Sequence, residues 1–167
     1  MGVKLVLLSD THIPTRARDL PAILWRAIDD ADLVIHAGDW VDAATLDAVQ
    51  ARSRELIAVY GNNDGEDLRS RLPELTRAVV DGVRIAVVHE TGAAAGREQR
   101  MDAAFGDADV LVFGHSHIPW DSVTRDGMRL LNPGSPTDRR RQPVATFMTG
   151  VIDDGVLHDV TLVPVDA

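Results

Sequence analysis

Five short clusters of potential metal ligands punctuate the sequence: Asp10-Thr11-His12, Gly38-Asp39, Gly61-Asn62-Asn63-Asp64, His89 and Gly114-His115-Ser116-His117. Four of the six histidines lie in them. Carboxylate oxygen and imidazole nitrogen together suit Mn, Fe, Ni or Zn, whereas Mg²⁺ takes histidine poorly. Singly, each cluster has an ordinary reading. Asp-x-His is also an Asx-turn followed by an exposed histidine, and Gly-Asp is common in loops. The five taken together carry the signal. With no cysteine in the chain, thiolate nucleophiles, zinc fingers, iron–sulfur clusters and disulfides are all excluded.

The elements between the clusters explain how they could meet. Short β-branched apolar runs at 3–9, 33–37 and 56–60 read as buried strands, with helices over 19–28 and 43–52 between them. Asp19-Leu20-Pro21 supplies an N-cap and an early proline for the first helix. That βαβαβ opening predicts a parallel sheet with covering helices. In the second half, 75–80 and 83–89 flank Asp81-Gly82 as a hairpin, and a helix over 96–105 precedes a strand at 110–113. Strands at 122–125, 128–131, 145–152 and 156–163 complete the pattern, with turn signals at Asp126-Gly127 and Asp154-Gly155. Each ligand cluster directly follows a strand. Ligands in open α/β sheets bind beyond the carboxyl ends of strands, so the clusters can converge. The expectation is one α/β domain over 1–167.

The ordered set Asp-x-His, Gly-Asp, Gly-Asn-x-Asp, His and Gly-His-x-His, with Asn132-Pro133-Gly134-Ser135 further on, resembles the calcineurin-like metallophosphoesterase superfamily. In its small size it is similar to the compact YfcE-type phosphodiesterase branch. The likeness runs from Asp10 to Ser135. It implies a four-layer αββα sandwich, two mixed β-sheets flanked by helices. By the same resemblance Asp10, His12 and His117 would hold one divalent metal, Asn62, His89 and His115 a second, and Asp39 would bridge them. Mn²⁺ is the first expectation for both ions, with Fe, Ni or Zn as alternatives. A hydroxide shared by the two metals would attack phosphorus, making the protein a phosphodiesterase acting on a small phosphate ester. A phosphomonoesterase acting on a small metabolite is an alternative, and so is a non-catalytic protein-binding scaffold on the same fold. Completeness of the ligand set separates enzyme from scaffold, and all seven expected ligands are present.

Two positions depart from the family pattern. Many members carry His directly after the Gly-Asn asparagine, and Asn63 stands there instead. Its amide can donate a hydrogen bond but supplies no proton near neutral pH, which favours good leaving groups. Asp39 and Asn63 are accordingly the two expected catalytic residues. The branch usually shows His-Gly where this chain has His89-Glu90. Glu90 reads as a solvated residue at a loop start, with orientation of a ligand histidine as the alternative. The small, Ala/Gly-rich loop over 91–96 is expected to be mobile.

Among the other conspicuous side chains, His36 reads as a packed, hydrogen-bonded residue, His158 as surface and Trp25 as core. Trp40 and Trp120 fit pocket walls and packing equally well. Arg139-Arg140-Arg141 is the one basic run, read as solvated loop with anion steering as the functional alternative. Asn132 and Gly134 are expected to shape their turn. The net charge of −9 argues against nucleic acid and anionic membranes as partners. Residues 3–8 are too short and too interrupted for a leader or membrane span, so a cytoplasmic setting is expected. Self-association into a homo-oligomer is a weaker expectation, from the family likeness.

Overall fold

The structure, a computed structural model, describes residues 2–166. In chain order its first half comprises β1 (Val3–Leu8), α1 (Ala22–Asp30), β2 (Leu33–His36), α2 (Ala43–Arg52), β3 (Leu56–Ala58) and α3 (Glu66–Arg69). The second half comprises β4 (Leu75–Val80), β5 (Val83–Val88), α4 (Arg97–Phe105), β6 (Val110–Val112), β7 (Trp120–Val123), β8 (Arg129–Asn132), β9 (Thr146–Asp153) and β10 (Val156–Pro164).

Side-chain alternation along the strands sets the layers. Leu5 and Leu7 of β1 point one way, joining Leu33, Ile35, Ile85, Val87, Val110, Val112 and Met148 in the apolar layer between two sheets. Val6 and Leu8 point the other way and pack with Leu24 and Ile28 of α1, Leu46 and Val49 of α2 and Leu68 of α3. On the far side, Ala86, Leu111 and Leu130 meet Met101 and Phe105 of α4. The result is helices, sheet, sheet, helix: the expected αββα sandwich. Fully burying one such Leu or Ile contributes about 1.5–3 kcal/mol, and three separate apolar layers do so here.

The sheets are ordered β10-β9-β1-β2-β3 and β4-β5-β6-β8-β7. Both are mixed. In the first, β1, β2 and β3 are parallel, while β9 and β10 add antiparallel strands. In the second, β5, β6 and β8 are parallel between the antiparallel edges β4 and β7. The parallel core of each sheet ends at the same side of the sandwich, where the ligand clusters lie.

Several boundaries differ from the sequence expectation. The first helix runs Ala22–Asp30 rather than 19–28, with Pro21 as its N-cap. Asp19 does not cap it: its Oδ1 accepts from the Leu20 amide and from Trp25 Nε1. The strand expected at 122–125 is Trp120–Val123, because the Asp126-Gly127 turn is wider than a two-residue hairpin. The four-residue helix α3 was not anticipated. The carbonyls of loop 91–96 are taken up by two arginines: Arg100 donates to Thr91, Ala93 and Ala95, and Arg97 to Gly92. Of the tryptophans, Trp40 is buried, stacked on His36 at 3.6 Å, with Nε1 donating to the Val59 carbonyl. It packs the core rather than lining a pocket. Trp120 is half-buried against the α4 layer under the Arg97 guanidinium.

Candidate metal centre

Asp10, Asp39 and Asn62 follow the carboxyl ends of β1, β2 and β3, and His89 and His115 those of β5 and β6. One sheet thus supplies the oxygen donors together with His12, and the other supplies three histidines, the two sets meeting across the sandwich end. Backbone bonds tie the loops together: the Asp10 amide donates to the Gly38 carbonyl at 2.9 Å, and the Gly114 amide to the His89 carbonyl at 2.9 Å. The approach is close enough to demand glycine. A Cβ on Gly61 would collide with the Asp39 carboxylate, and one on Gly114 with Ser9 Oγ.

Five of the expected site residues occupy the left-handed backbone region, with φ of 58° at Asp10, 46° at His12, 63° at Asp39, 73° at His115 and 62° at His117. Non-glycine residues seldom adopt it, and each instance costs about 1–3 kcal/mol. Such a concentration needs support from the surrounding structure. Much of it comes from Asp64, whose buried carboxylate accepts the amides of Asp39 (3.0 Å), Val41 (2.7 Å) and Gly61 (2.7 Å). Ser135 contributes too, donating from Oγ to the Asp10 carbonyl at 2.7 Å and accepting the Asp138 amide at 2.8 Å. Neither role was read from the sequence, although both residues lie in polar turns that were noted there.

Five of the seven expected ligands, Asp10, His12, Asp39, His89 and His117, are buried together, and Asn62 and His115 join them at the rim. Asp39 Oδ2 lies 3.3 Å from His12 Nε2 and 3.4 Å from His89 Nε2, while Asp10 Oδ1 lies 3.5 Å from His117 Nε2. Asn62 Oδ1 lies 2.9 Å from His89 Nε2 and 3.1 Å from His115 Nδ1. Two three-donor groups able to hold a cation emerge: Asp10, His12 and His117, and Asp10, Asp39 and His89. Asp10 is common to both, whereas the sequence reading gave the shared position to Asp39. His115 is more open, its side chain 42% exposed, with Nε2 3.7 Å from Glu90 Oε1. Asn63 turns inward: its amide N–H and its side-chain Nδ2 both donate to the Asp39 carboxylate, at 2.9 and 2.8 Å.

Hydrogen-bond chemistry tests whether these residues fit a cation. The Asp138 and Ala37 carbonyls lie 2.5 and 2.8 Å from the Nδ1 atoms of His117 and His89, so each Nδ1 carries a proton. The neutral His117 ring then presents its Nε2 lone pair to Asp10 Oδ1, whereas at His89 burial is outweighed by Asp39 and Asp10, which draw that ring above its usual range. The Nε2 atoms of His12 and His117 are buried and have no hydrogen-bond partner. No Lys or Arg pairs with Asp10 or Asp39 among the described residues, whose ionic partners there are histidines. A lone pair facing an oxygen needs a positive centre between them. Burial drives His117 down to about 4, so a proton does not fill that role at neutral pH. Burial also raises Asp10, to about 6, despite the nearby histidines. For Asp39 burial acts upward as well, but the neighbouring His12 and His89 rings and the Asn63 amide outweigh it and hold the carboxyl below its usual range. Divalent cations fit this donor set.

A buried cluster of carboxylates and imidazoles at the strand ends of an αββα sandwich is a candidate metal centre. Residues 3–155 match the family model described as the calcineurin-like phosphoesterase superfamily domain. The chain belongs to that superfamily. A probable metallophosphoesterase from Methanocaldococcus jannaschii is 31% identical over 163 residues, covering 96% of this chain and 80% of the relative. A phosphodiesterase from the same organism is 27% identical over 177 residues, covering 93% and 92%. Among solved structures, a Thermotoga maritima protein determined by NMR aligns with a TM-score of 0.76 at 32% identity, over 97% of this chain and 99% of that one. Vps29 from Chaetomium thermophilum aligns with a TM-score of 0.80 over 96% of both chains, at 20% identity, a likeness of fold alone.

The remaining residues fall as follows. His36 is fully buried, with Nδ1 accepting the Gly38 amide and Nε2 against Thr11 Oγ1. His158 is on the surface beside Asp159. Asn132 shapes its turn, donating to the Gly114 carbonyl and accepting the Gly134 amide. Among the described residues no helix is long and apolar enough to cross a membrane.

Proposed function

We propose that this protein is a metal-dependent phosphodiesterase that hydrolyses the P–O bond of a small phosphate ester, using two divalent cations, with Mn²⁺ preferred. One observation carries the reading: buried histidine Nε2 atoms and two buried carboxylates that have no Lys or Arg partner among the described residues face each other at the strand ends of a phosphoesterase-superfamily fold. When bound, the cations supply Lewis acidity, a nucleophile at neutral pH and neutralisation of phosphoryl charge. The chain's own residues would do the holding and orienting. Asp10, His12 and His117 would serve one cation, and Asn62, His89 and His115 the other, with both carboxylates between them. Carbonyls of Ala37 and Asp138 accept from Nδ1 of His89 and His117, so each ring turns its Nε2 towards the carboxylates. Asn63 aligns the Asp39 carboxylate and has no proton to give a leaving alcohol.

Diester rather than monoester turnover is supported by a relative named as a phosphodiesterase and by two separate polar clefts reaching the cluster, one for each substituent. The test is to strip metal with chelator and assay an aryl phosphodiester and its monoester after adding back Mn²⁺, Ni²⁺, Zn²⁺ or Mg²⁺. Metal-restored cleavage, faster on the diester, is the expected result. Faster monoester cleavage would replace the reading with a phosphomonoesterase, and metal binding without cleavage of either ester with a scaffold.

A further inference from the structure

The two clefts at the cluster share no lining residue and differ in charge. One, of about 200 Å³, is lined by Tyr60, Asn62, Arg69, Glu74, His89 and Glu90, one arginine against two carboxylates. Its arginine is occupied: Arg69 Nε donates to the Asp64 carbonyl at 2.7 Å and the guanidinium lies 4.7 Å from the Tyr60 ring centre. The other, of about 390 Å³, is lined by His12, Thr15, Arg16, Asn63, Asp138 and Arg140, two arginines against one carboxylate. In a chain of net charge −9, a cationic cleft beside His12 and Asn63 runs against the overall field.

The three arginines of the basic run are not equivalent. Arg139 closes its own turn, donating from Nη1 to the Gln142 carbonyl at 2.6 Å while the Gln142 amide returns a bond to the Arg139 carbonyl. Neither Arg139 nor Arg141 lines the cleft; Arg140 does. Its φ of 50° lies in the left-handed region, so the backbone carries residue 140 out of line with its neighbours. Arg16 is compensated by Asp138 at 3.5 Å, whereas among the described residues no carboxylate pairs with Arg140. A guanidinium without a partner at the mouth of a phosphoryl site is suited to bidentate capture of a carboxylate or phosphate.

Building on the phosphodiesterase reading, we infer that Arg140 is a specificity residue that selects phosphodiesters in which one substituent carries a second anionic group. The anionic substituent lies in the cleft of Thr15, Arg16 and Arg140, and the uncharged one in the acidic cleft of Glu74 and Glu90.

Three diesters with a common 4-nitrophenyl leaving group test this, the other substituent being propyl, 2-carboxyethyl or 2-(trimethylammonio)ethyl. Initial rates with Mn²⁺ give kcat/KM for the wild type, Arg140→Ala, Arg140→Lys and, as the control, Arg139→Ala. The wild type should favour the carboxyethyl over the propyl ester by roughly tenfold and disfavour the cationic one. That ratio should collapse towards one in Arg140→Ala, recover in part in Arg140→Lys, stay intact in Arg139→Ala and shrink as salt rises. Because each variant is compared with itself across esters, a general loss of activity does not imitate the result. Equal turnover of the three esters by the wild type, or a preference that survives Arg140→Ala, would overturn the assignment while leaving the phosphodiesterase reading standing. No turnover of any ester with any divalent metal would overturn both.

Discussion

Asp64 holds Asp39 in place through the backbone: its carboxylate accepts the Asp39 amide at 3.0 Å while also taking those of Val41 and Gly61. Two loops that follow different strands are thereby fixed to each other, and Asp39 is held at a φ of 63° that its own preferences disfavour. A residue outside the expected donor set thus fixes the position of one within it.

Replacing that carboxylate tests the relationship. Asp64→Ala leaves three inward amides unsatisfied and should destabilise the fold by about 2–4 kcal/mol. Denaturant unfolding measures it, and metal titration of the folded fraction should show weakened binding. Asp64→Asn, which retains one acceptor oxygen, should fall between the two.

Asn63 makes the second clamp on Asp39, from both its main chain and its side chain. Asn63→Ala keeps the former and loses the latter. Residues that orient a ligand typically account for about 10–100-fold in metal affinity or activity, and that is the loss expected in kcat/KM on an aryl diester. An unchanged rate would remove Asn63 from the site's working parts.

His36 gives a pH dependence whose sign follows from its partners. Nδ1 accepts from the Gly38 N–H, so protonating the ring would set two donors against each other, and full burial pushes its pKa well below the model-peptide value of 6.5. A histidine depressed in the fold contributes stability that is present above 6.5 and is lost as pH falls below it, because the unfolded chain takes up a proton that the folded one refuses. The contribution of His36 to stability should therefore fall below pH 6.5, by up to about 1.4 kcal/mol per pH unit. In His36→Asn the slope should be smaller by one proton, although the variant is less stable overall. Unfolding midpoints between pH 5 and 8 measure this, and parallel curves would contradict it.

How far the sequence foretold this follows from how far each determinant extends along the chain. The β–α alternation of residues 3–60 rests on local periodicity, and β1, α2, β2 and β3 lie where it predicts. The pairing of β1 with β9, Val3 opposite Ile152, joins residues about 150 apart and leaves no local trace. Helix α3 is too short to show a period. That the seven expected positions gather at one end of the sandwich was legible because donor type and position after a strand are sequence properties, and the family likeness ordered them. Their left-handed backbone was not legible, since nothing about Asp10 or His117 alone favours it. Nor were the supports: Asp64 and Ser135 read as loop polars until the amides and carbonyls they bind are in place. Asn63 stands where many members of the family carry a histidine, and its two bonds to the Asp39 carboxylate depend on a loop approach that no motif encodes.

The central claim is that these donors form a metal centre, and calorimetric titration of the chelator-stripped protein with Mn²⁺ tests it most directly. The account predicts two ions per chain, with His117→Ala and His89→Ala each removing at least one, and unfolding temperature rising as the sites fill. Heat-silent titration with no gain in thermal stability for Mn²⁺, Zn²⁺ or Ni²⁺ would contradict it.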